Sequence, residues 1–322
     1  MDTLPTEVLG LIFEAASCDG GRTASSVRAA CTAFCAASES SRFRSVAITE
    51  SPKTLSFREA LQKASPSARA SIRHLFVVVQ DEDMAATVDD VLQLTAPCLE
   101  CLTCICLSSC STLHARLLAT AFPRLHALSL CCVDMSYPPD DRSDLFPGAS
   151  ASPLFPCLQY LHIAYARSGY MHSAHIALCR FITRTGGLLT RVRLSGGVVF
   201  RRDGLCSMAA FRKMLLFPAH QLVESPPLPW PALSPIRTYV VGAFFLGTTS
   251  RWKLTSLERE TREQKDAVRL VLLPRRAIVP WPQWREKWLS VQAGELDPLY
   301  EWPEQSAPEI LAEDYPVWAG DI

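Results

Sequence analysis

Two groups of side chains have the composition of a reactive or metal-binding site. Cys101-x-x-Cys104-x-Cys106, with Cys110 close behind, has the spacing of zinc ligands. Four sulfurs would have to converge on one point. Cys98, Cys101 and Cys104 instead fall in a strand-like stretch, and a strand sends alternate residues to opposite faces. Cys104 also stands in an apolar slot that Val77, Leu130, Ile163 and Leu194 fill elsewhere in the chain. The cluster therefore reads as packing, as does Cys131-Cys132 at a strand end, and no metal is expected. His172-x-x-His175 opens a stretch with helical character and puts two imidazoles on one face. With a cysteine they would suit a hydrolase, but no Glu accompanies them in the HExxH manner, so a surface or capping pair is expected. There is no GxSxG, phosphate loop or GxGxxG. Gly186-Gly187 and Gly196-Gly197 read as turns. Arg191, Arg193, Arg201 and Arg202, with Arg212 and Lys213 nearby, could touch phosphate or an acidic peptide. The alternation of Arg191 and Arg193 with Val192 and Leu194 favours a solvated edge instead. No catalytic residue and no cofactor are expected.

The bulk numbers point the same way. The 322 residues are 48% hydrophobic, enough for a sizeable core. The 32 basic and 32 acidic side chains cancel, so no long-range field pulls the chain toward nucleic acid or anionic lipid. The 13 cysteines are odd in number and scattered, as in a reduced cytosolic or nuclear protein. The opening residues lack the basic and apolar regions of a secretory signal. The apolar stretch 99–122 carries Glu100, His114 and Arg116, which argues against a membrane span. The chain contains no Asn, so N-glycosylation is excluded.

The elements that would position any site fall into two textures. Residues 4–16 read as a helix opened by Pro5, with Glu7 in its first turn and a narrow polar face of Glu7, Gly10 and Glu14. Val8, Leu9, Leu11, Ile12 and Phe13 cover most of the rest. Asp19-Gly20-Gly21 breaks the chain, and a second helix is expected over 25–38, with Val27, Cys31, Phe34 and Ser38 at i, i+4, i+7 spacing. The alternating run Arg42 to Ile48 ends the module.

Beyond a Ser/Pro-rich joint, one apolar pattern recurs: Ile72-x-x-Leu75-x-Val77, Leu99-x-x-Leu102-x-Cys104, Leu125-x-x-Leu128-x-Leu130, Leu158-x-x-Leu161-x-Ile163 and Leu189-x-x-Val192-x-Leu194. The starts lie 27, 26, 33 and 31 residues apart, with helical stretches at 85–95, 111–121 and 172–184 between them. A strand and a returning helix at this period are the sign of a leucine-rich-repeat solenoid. Regular repeats carry an Asn or Cys ladder. Here those positions hold Gln80, Leu107, Val133, Ala166 and Gly197, so the repeat is degenerate, and 138–156 reads as an inserted loop. Further strands are expected in Arg237 to Phe245 and Ala267 to Pro274, with a charged helix at 252–265 between them. Pro226-Pro227 through Pro235 reads as a loop. Trp281 to Val291 reads as a helix with Trp281, Trp284 and Trp288 on one side. From Trp288 onward there are eight acidic residues and no Lys or Arg.

The first 48 residues resemble an F-box. The matching residues are Leu4-Pro5, Glu7-Val8-Leu9, Ile12-Phe13, the Val27-to-Phe34 helix and Phe43-Arg44-Ser45-Val46. The whole chain is similar to fungal-type F-box proteins with irregular leucine-rich repeats. The resemblance implies an α/β chain: a helical F-box at 1–50, a linker at 51–70, a leucine-rich-repeat-like domain of strand–helix units at 71–291 and an acidic tail at 292–322. It implies a substrate-receptor subunit of an SCF (Skp–cullin–F-box) ubiquitin ligase. The F-box would bind the Skp adaptor through Leu4, Pro5, Val8, Ile12, Val27, Cys31 and Phe34. The repeat region would bind an unknown substrate protein, with neither nucleic acid nor membrane as partner. The sequence departs from the family pattern at Asp19-Gly20-Gly21 and at the small Ala30 and Ala36-Ala37. A different class of answer stays open: a non-ligase interaction scaffold whose F-box-like module is only a structural cap.

The residues alone agree with an adaptor. A helix that is apolar around most of its circumference needs cover on several sides, and a small helical module cannot supply it.

Overall fold

The Leu-x-x-Leu-x-Leu runs become strands that stack in register. The computed structural model describes residues 4–107, 111–133, 153–165, 185, 188–195, 238–242, 269–273 and 281–293. Three short helices open the chain: α1 (Thr6–Ala16), α2 (Arg22–Ala30) and α3 (Thr32–Ala37), followed by a 3-10 turn at Glu39–Ser41. Strand and helix then alternate: β1 (Ser45–Ile48), α4 (Ser51–Lys63), α5 (Pro66–Ala70), β2 (His74–Val79), α6 (Glu82–Thr95), β3 (Cys101–Cys106), α7 (Ser111–Ala119), β4 (Ala127–Val133) and β5 (Tyr160–Tyr165). After them come β6 (Arg191–Ser195), β7 (Thr238–Gly242), β8 (Arg269–Leu273) and the helix α8 (Trp281–Gln292).

All eight strands form one sheet in the order β1-β2-β3-β4-β5-β6-β7-β8, and every pair is parallel. The register aligns the middle leucines into one row: Leu75, Leu102, Leu128, Leu161 and Val192. Val77, Cys104, Leu130 and Ile163 make a second row, and Ile72, Leu99, Leu125, Leu158 and Leu189 are buried just ahead of their strands. These rows and the inner faces of the helices, through Leu61, Met84, Val88, Leu92, Leu113 and Leu117, form the main core. Each unit offers one apolar row and can bury it only against its neighbours. Phe122 stacks on Phe155 with ring centroids 5.5 Å apart, extending the core along the turns that precede β4 and β5. Phe155 had been expected inside an inserted loop. Phe155-Pro156-x-Leu158 instead repeats Phe122-Pro123-x-Leu125 and belongs to the repeat, while residues 134–152 lie outside the described set.

Two expectations change. The Ser/Pro-rich stretch 51–70 is helical rather than a linker. Pro52 and Pro66 sit in the first turns of α4 and α5, where a missing N–H is no loss, and Ser65 caps α5 through the N–H of Ala68. Leu61 and Ala68 are fully buried in the main core. The helix expected over 25–38 is broken at Cys31, which is extended; its sulfur accepts from the N–H of Phe34 and starts α3 afresh.

The ladder is also not wholly absent. Gln80 Nε2 donates to the backbone carbonyl of Thr49 in the preceding turn at 2.9 Å, the bond an Asn ladder would make. The strands and the helix expected at 237–245, 267–274 and 281–291 appear as β7, β8 and α8. The helices expected at 172–184 and 252–265, the Pro-rich loop at 226–235 and the acidic residues from 294 onward lie outside the described residues. Among the described residues, no helix is long and apolar enough to cross a membrane.

Two predictions follow from this packing. Leu128 lies in the middle of the row, so Leu128→Asp puts an unpaired charge in the main core. It should cost at least roughly 3 kcal/mol in a chemical denaturation, and a wild-type midpoint would refute the row. His74 opens β2, and burial, then the charges of Arg44 and Arg73, lower its pKa from 6.5 to about 4. Below pH 6.5 the unfolded chain takes up a proton that the folded chain refuses. Stability should therefore fall as pH drops from about 6.5 toward 4, and His74→Gln should flatten that slope in a Tm-against-pH series.

Candidate functional site

The first helix is where the chain exposes what it would ordinarily bury. α1 begins after Pro5, whose carbonyl accepts from the N–H groups of Val8 and Leu9, at 3.0 and 3.1 Å. Its apolar residues are too many for one neighbour. Phe13 turns inward, is 8% exposed, and meets the edge of Phe34 at 5.4 Å between centroids. Leu4, Val8, Leu11 and Ile12 turn outward and are 42%, 39%, 67% and 48% exposed. Val8, Leu11 and Ile12 lie on neighbouring positions of one side of α1, and Leu4 stands just ahead of its first residue. These four are more than half of the exposed large hydrophobic residues among the described positions, and they fall within nine consecutive residues. Such a contiguous apolar stripe marks a contact surface more than a scattered leucine does.

The seven residues expected at an adaptor contact divide in two. Leu4, Pro5, Val8, Ile12 and Cys31 are exposed. Val27 and Phe34 are half-buried, and Phe34 packs on Phe13, so these two tie the helices together. Leu11 is the most exposed of the stripe and was not among the seven. Its place one turn beyond Val8 was the signal that marked it. Ion pairs hold the other side of the module. Arg28 meets Glu39 at 2.5 Å and also donates to the carbonyl of Cys35, while Arg44 meets Glu14 and so anchors α1 to the entry of β1.

The Asp19-Gly20-Gly21 turn is the module's second contact with the sheet. Both carboxylate oxygens of Asp19 accept from the N–H of Thr23, at 3.1 and 2.8 Å, opening α2. Gly20 and Gly21 have φ of 74° and 93°. A Cβ on Gly20 would lie 3.0 Å from the Ala47 side chain in β1, 3.5 Å from Leu289 and 3.6 Å from Trp288, both on α8. The glycine lets three elements close on one point.

Among the described residues, the other candidates do not converge. Cys104 and Cys106 face the main core, whereas Cys101 packs on the opposite face against α8. Burial pushes the Cys101 thiol up to about 12, and Cys106 is also held protonated, first by its contact with Cys104 and then by burial. Neither is a thiolate nucleophile. His114 is buried beside Cys106. Arg191 lies over the Tyr160 ring at 5.8 Å, and Arg193 lies near His162. His172, His175, Cys110, Arg201, Arg202, Arg212 and Lys213 lie outside the described residues.

Comparison of the chain with models of known protein families and with curated protein sequences returns no match.

The division of α1 into an inward and an outward stripe is testable by stability alone. Phe13→Ala should lose about 3–5 kcal/mol, because it empties the contact with Phe34. Leu11→Ser should stay within about 0.5 kcal/mol of wild type, because it leaves a side chain already in water. Equal losses in urea titrations would mean that α1 is covered by the chain itself.

Proposed function

We propose that this protein is the substrate-receptor subunit of an SCF-type ubiquitin ligase, a binding protein that performs no catalysis itself. Its N-terminal module docks on the Skp adaptor of a cullin ligase assembly, and the parallel strand–helix units, a degenerate leucine-rich-repeat-like solenoid, hold a substrate protein. The observation that carries this reading is the exposed set of Leu4, Val8, Leu11 and Ile12 at the start of and along α1, in the part of the chain that resembles an F-box. Its supports are inward-facing Phe13 and Phe34, which give the module its own small core and leave the stripe free for a partner.

The two functions need a fixed distance between them. A ligase receptor has to present its substrate at a set orientation to the adaptor. Here the module runs directly into β1, and β1 pairs with β2, so no loose joint intervenes. The same continuity supports a second reading, in which the module is a structural cap on a non-ligase scaffold. Solenoids require such caps at their ends. The difference lies in the stripe: a cap buries its apolar face on the repeat it covers, and this one points away.

The double substitution Leu4→Ala with Pro5→Ala separates the two. On the receptor reading it leaves the melting temperature nearly unchanged and abolishes co-purification of the Skp adaptor, because anchor residues dominate an interface. Wild-type recovery of the adaptor by the variant, or no recovery by the wild type, would leave the scaffold reading standing.

A further inference from the structure

β1 carries the N-terminal module into the sheet, and its residues face two ways. Val46 and Ile48 pack into the main core on the helix side of the strands, whereas Ala47 joins a separate apolar surface on the other side. The module follows both. On the helix side Phe43 lies in the main core and meets Phe57 of α4 edge-on, with ring centroids 5.6 Å apart. On the other side the Gly20-Gly21 turn reaches β1 itself: the N–H of Ala47 donates to the Gly20 carbonyl at 3.4 Å.

α8 closes on that second contact. It lies on the apolar surface made by Phe76 and Val78 of β2, Ile105 of β3, Cys131 of β4 and Ala164 of β5. Trp284 lies over His162 of β5, with ring centroids 4.8 Å apart, and marks one end of the seat. Trp288 is 5% exposed and meets Phe76 at 5.5 Å between centroids. Next to it, at the other end, the side chains of Leu289 and Trp288 come within 3.5 and 3.6 Å of where a Cβ on Gly20 would lie. The twelve residues of α8 are about 18 Å long, which matches the roughly 19 Å of four strand spacings from β1 to β5. One rigid element thus reaches from the middle of the sheet to the turn between α1 and α2.

We propose that α8 is a brace that fixes the angle of the N-terminal module on the sheet, and so aims the exposed residues of α1. Continuity through β1 fixes the distance between module and sheet but not the angle. Contacts on one face alone would let the module rock about that strand. Phe43 on Phe57 stops the motion on the helix side, and Gly20 under Leu289 and Trp288 stops it on the other. Glycine makes the second contact possible, because its left-handed φ and missing Cβ let the helix reach the turn backbone. This deepens the receptor reading by naming the element that directs its docking surface, and rests on that reading for its biological sense. The brace needs no adaptor, so its failure and the failure of adaptor binding are separate results.

The test uses the full chain and leaves its cysteines alone. Spin labels on unnatural amino acids at Glu7 of α1 and Leu55 of α4, both exposed, report the module against the sheet. A second pair, at Leu55 and exposed Gln93 of α6, stays within the helix layer and is the control. Leu289→Ala removes a side chain that meets Gly20 and keeps all three tryptophans. Electron–electron distance measurements should give one narrow Glu7–Leu55 distribution in the wild type. In Leu289→Ala that distribution should be about two-fold wider, with the control pair unchanged. Gly20→Ala attacks the same contact from the module's side and should widen it likewise. If Leu289→Ala is unfolded by circular dichroism, the milder Leu289→Val decides. A broad wild-type distribution, an unchanged width in the variant, or equal widening of both pairs would overturn the proposal. The module would then be held without α8, or α8 would serve only the stability of the sheet.

Discussion

The parallel register of one apolar row holds everything else in place. Leu75, Leu102, Leu128, Leu161 and Val192 lie on adjacent strands at the same height, and each closes the core left open by the strand before it. No unit is stable by itself, because a strand of five to seven residues and one helix cannot enclose an apolar side chain on all sides. Order therefore spreads from neighbour to neighbour. The first unit has only one neighbour, and the rest of its cover has to come from elsewhere. That requirement explains the N-terminal module better than a beads-on-a-string view. Phe43, Val46 and Ile48 repeat the same apolar spacing once more, so the last turn of the helical module is also the first rung of the sheet.

The rungs were legible in the sequence because they obey a local rule: three apolar residues at fixed spacing, fixed by the geometry of a turn entering a strand. The rung at Phe43 was legible by the same rule, but its residues were already assigned to the module that precedes it. The helices 51–63 and 66–70 were hidden because Ser and Pro mark both linkers and helix starts, and only the burial of Leu61 and Ala68 distinguishes them. The break at Cys31 was hidden for another reason. A thiol is a poor cap and rarely signals one, so Ala30 and Thr32 read as parts of one continuous helix.

The outward stripe on α1 was only half legible. Periodicity shows that a helix has apolar residues on several sides; it does not say which side another element will cover. The choice is made by Phe34, half-buried on α3, which takes Phe13 and so turns Leu4, Val8, Leu11 and Ile12 to water. What α8 does was not legible at all. Trp281, Trp284 and Trp288 announce an amphipathic helix, but its seat is five strands wide and lies far back in the sequence. Contacts of that separation leave no trace in a local pattern.

Gly20 links these long-range choices. In the sequence, Asp19-Gly20-Gly21 is a departure from the F-box pattern. In the structure the left-handed turn lets β1, through Ala47, and α8, through Trp288 and Leu289, approach the same backbone. A side chain at Gly20 would have to push one of them away, since its first atom would already be 3.0 Å from Ala47. The turn joins α1 to α2, so the residue that looks like a break in the helical module is also the point where that module, the first strand and the last described helix meet.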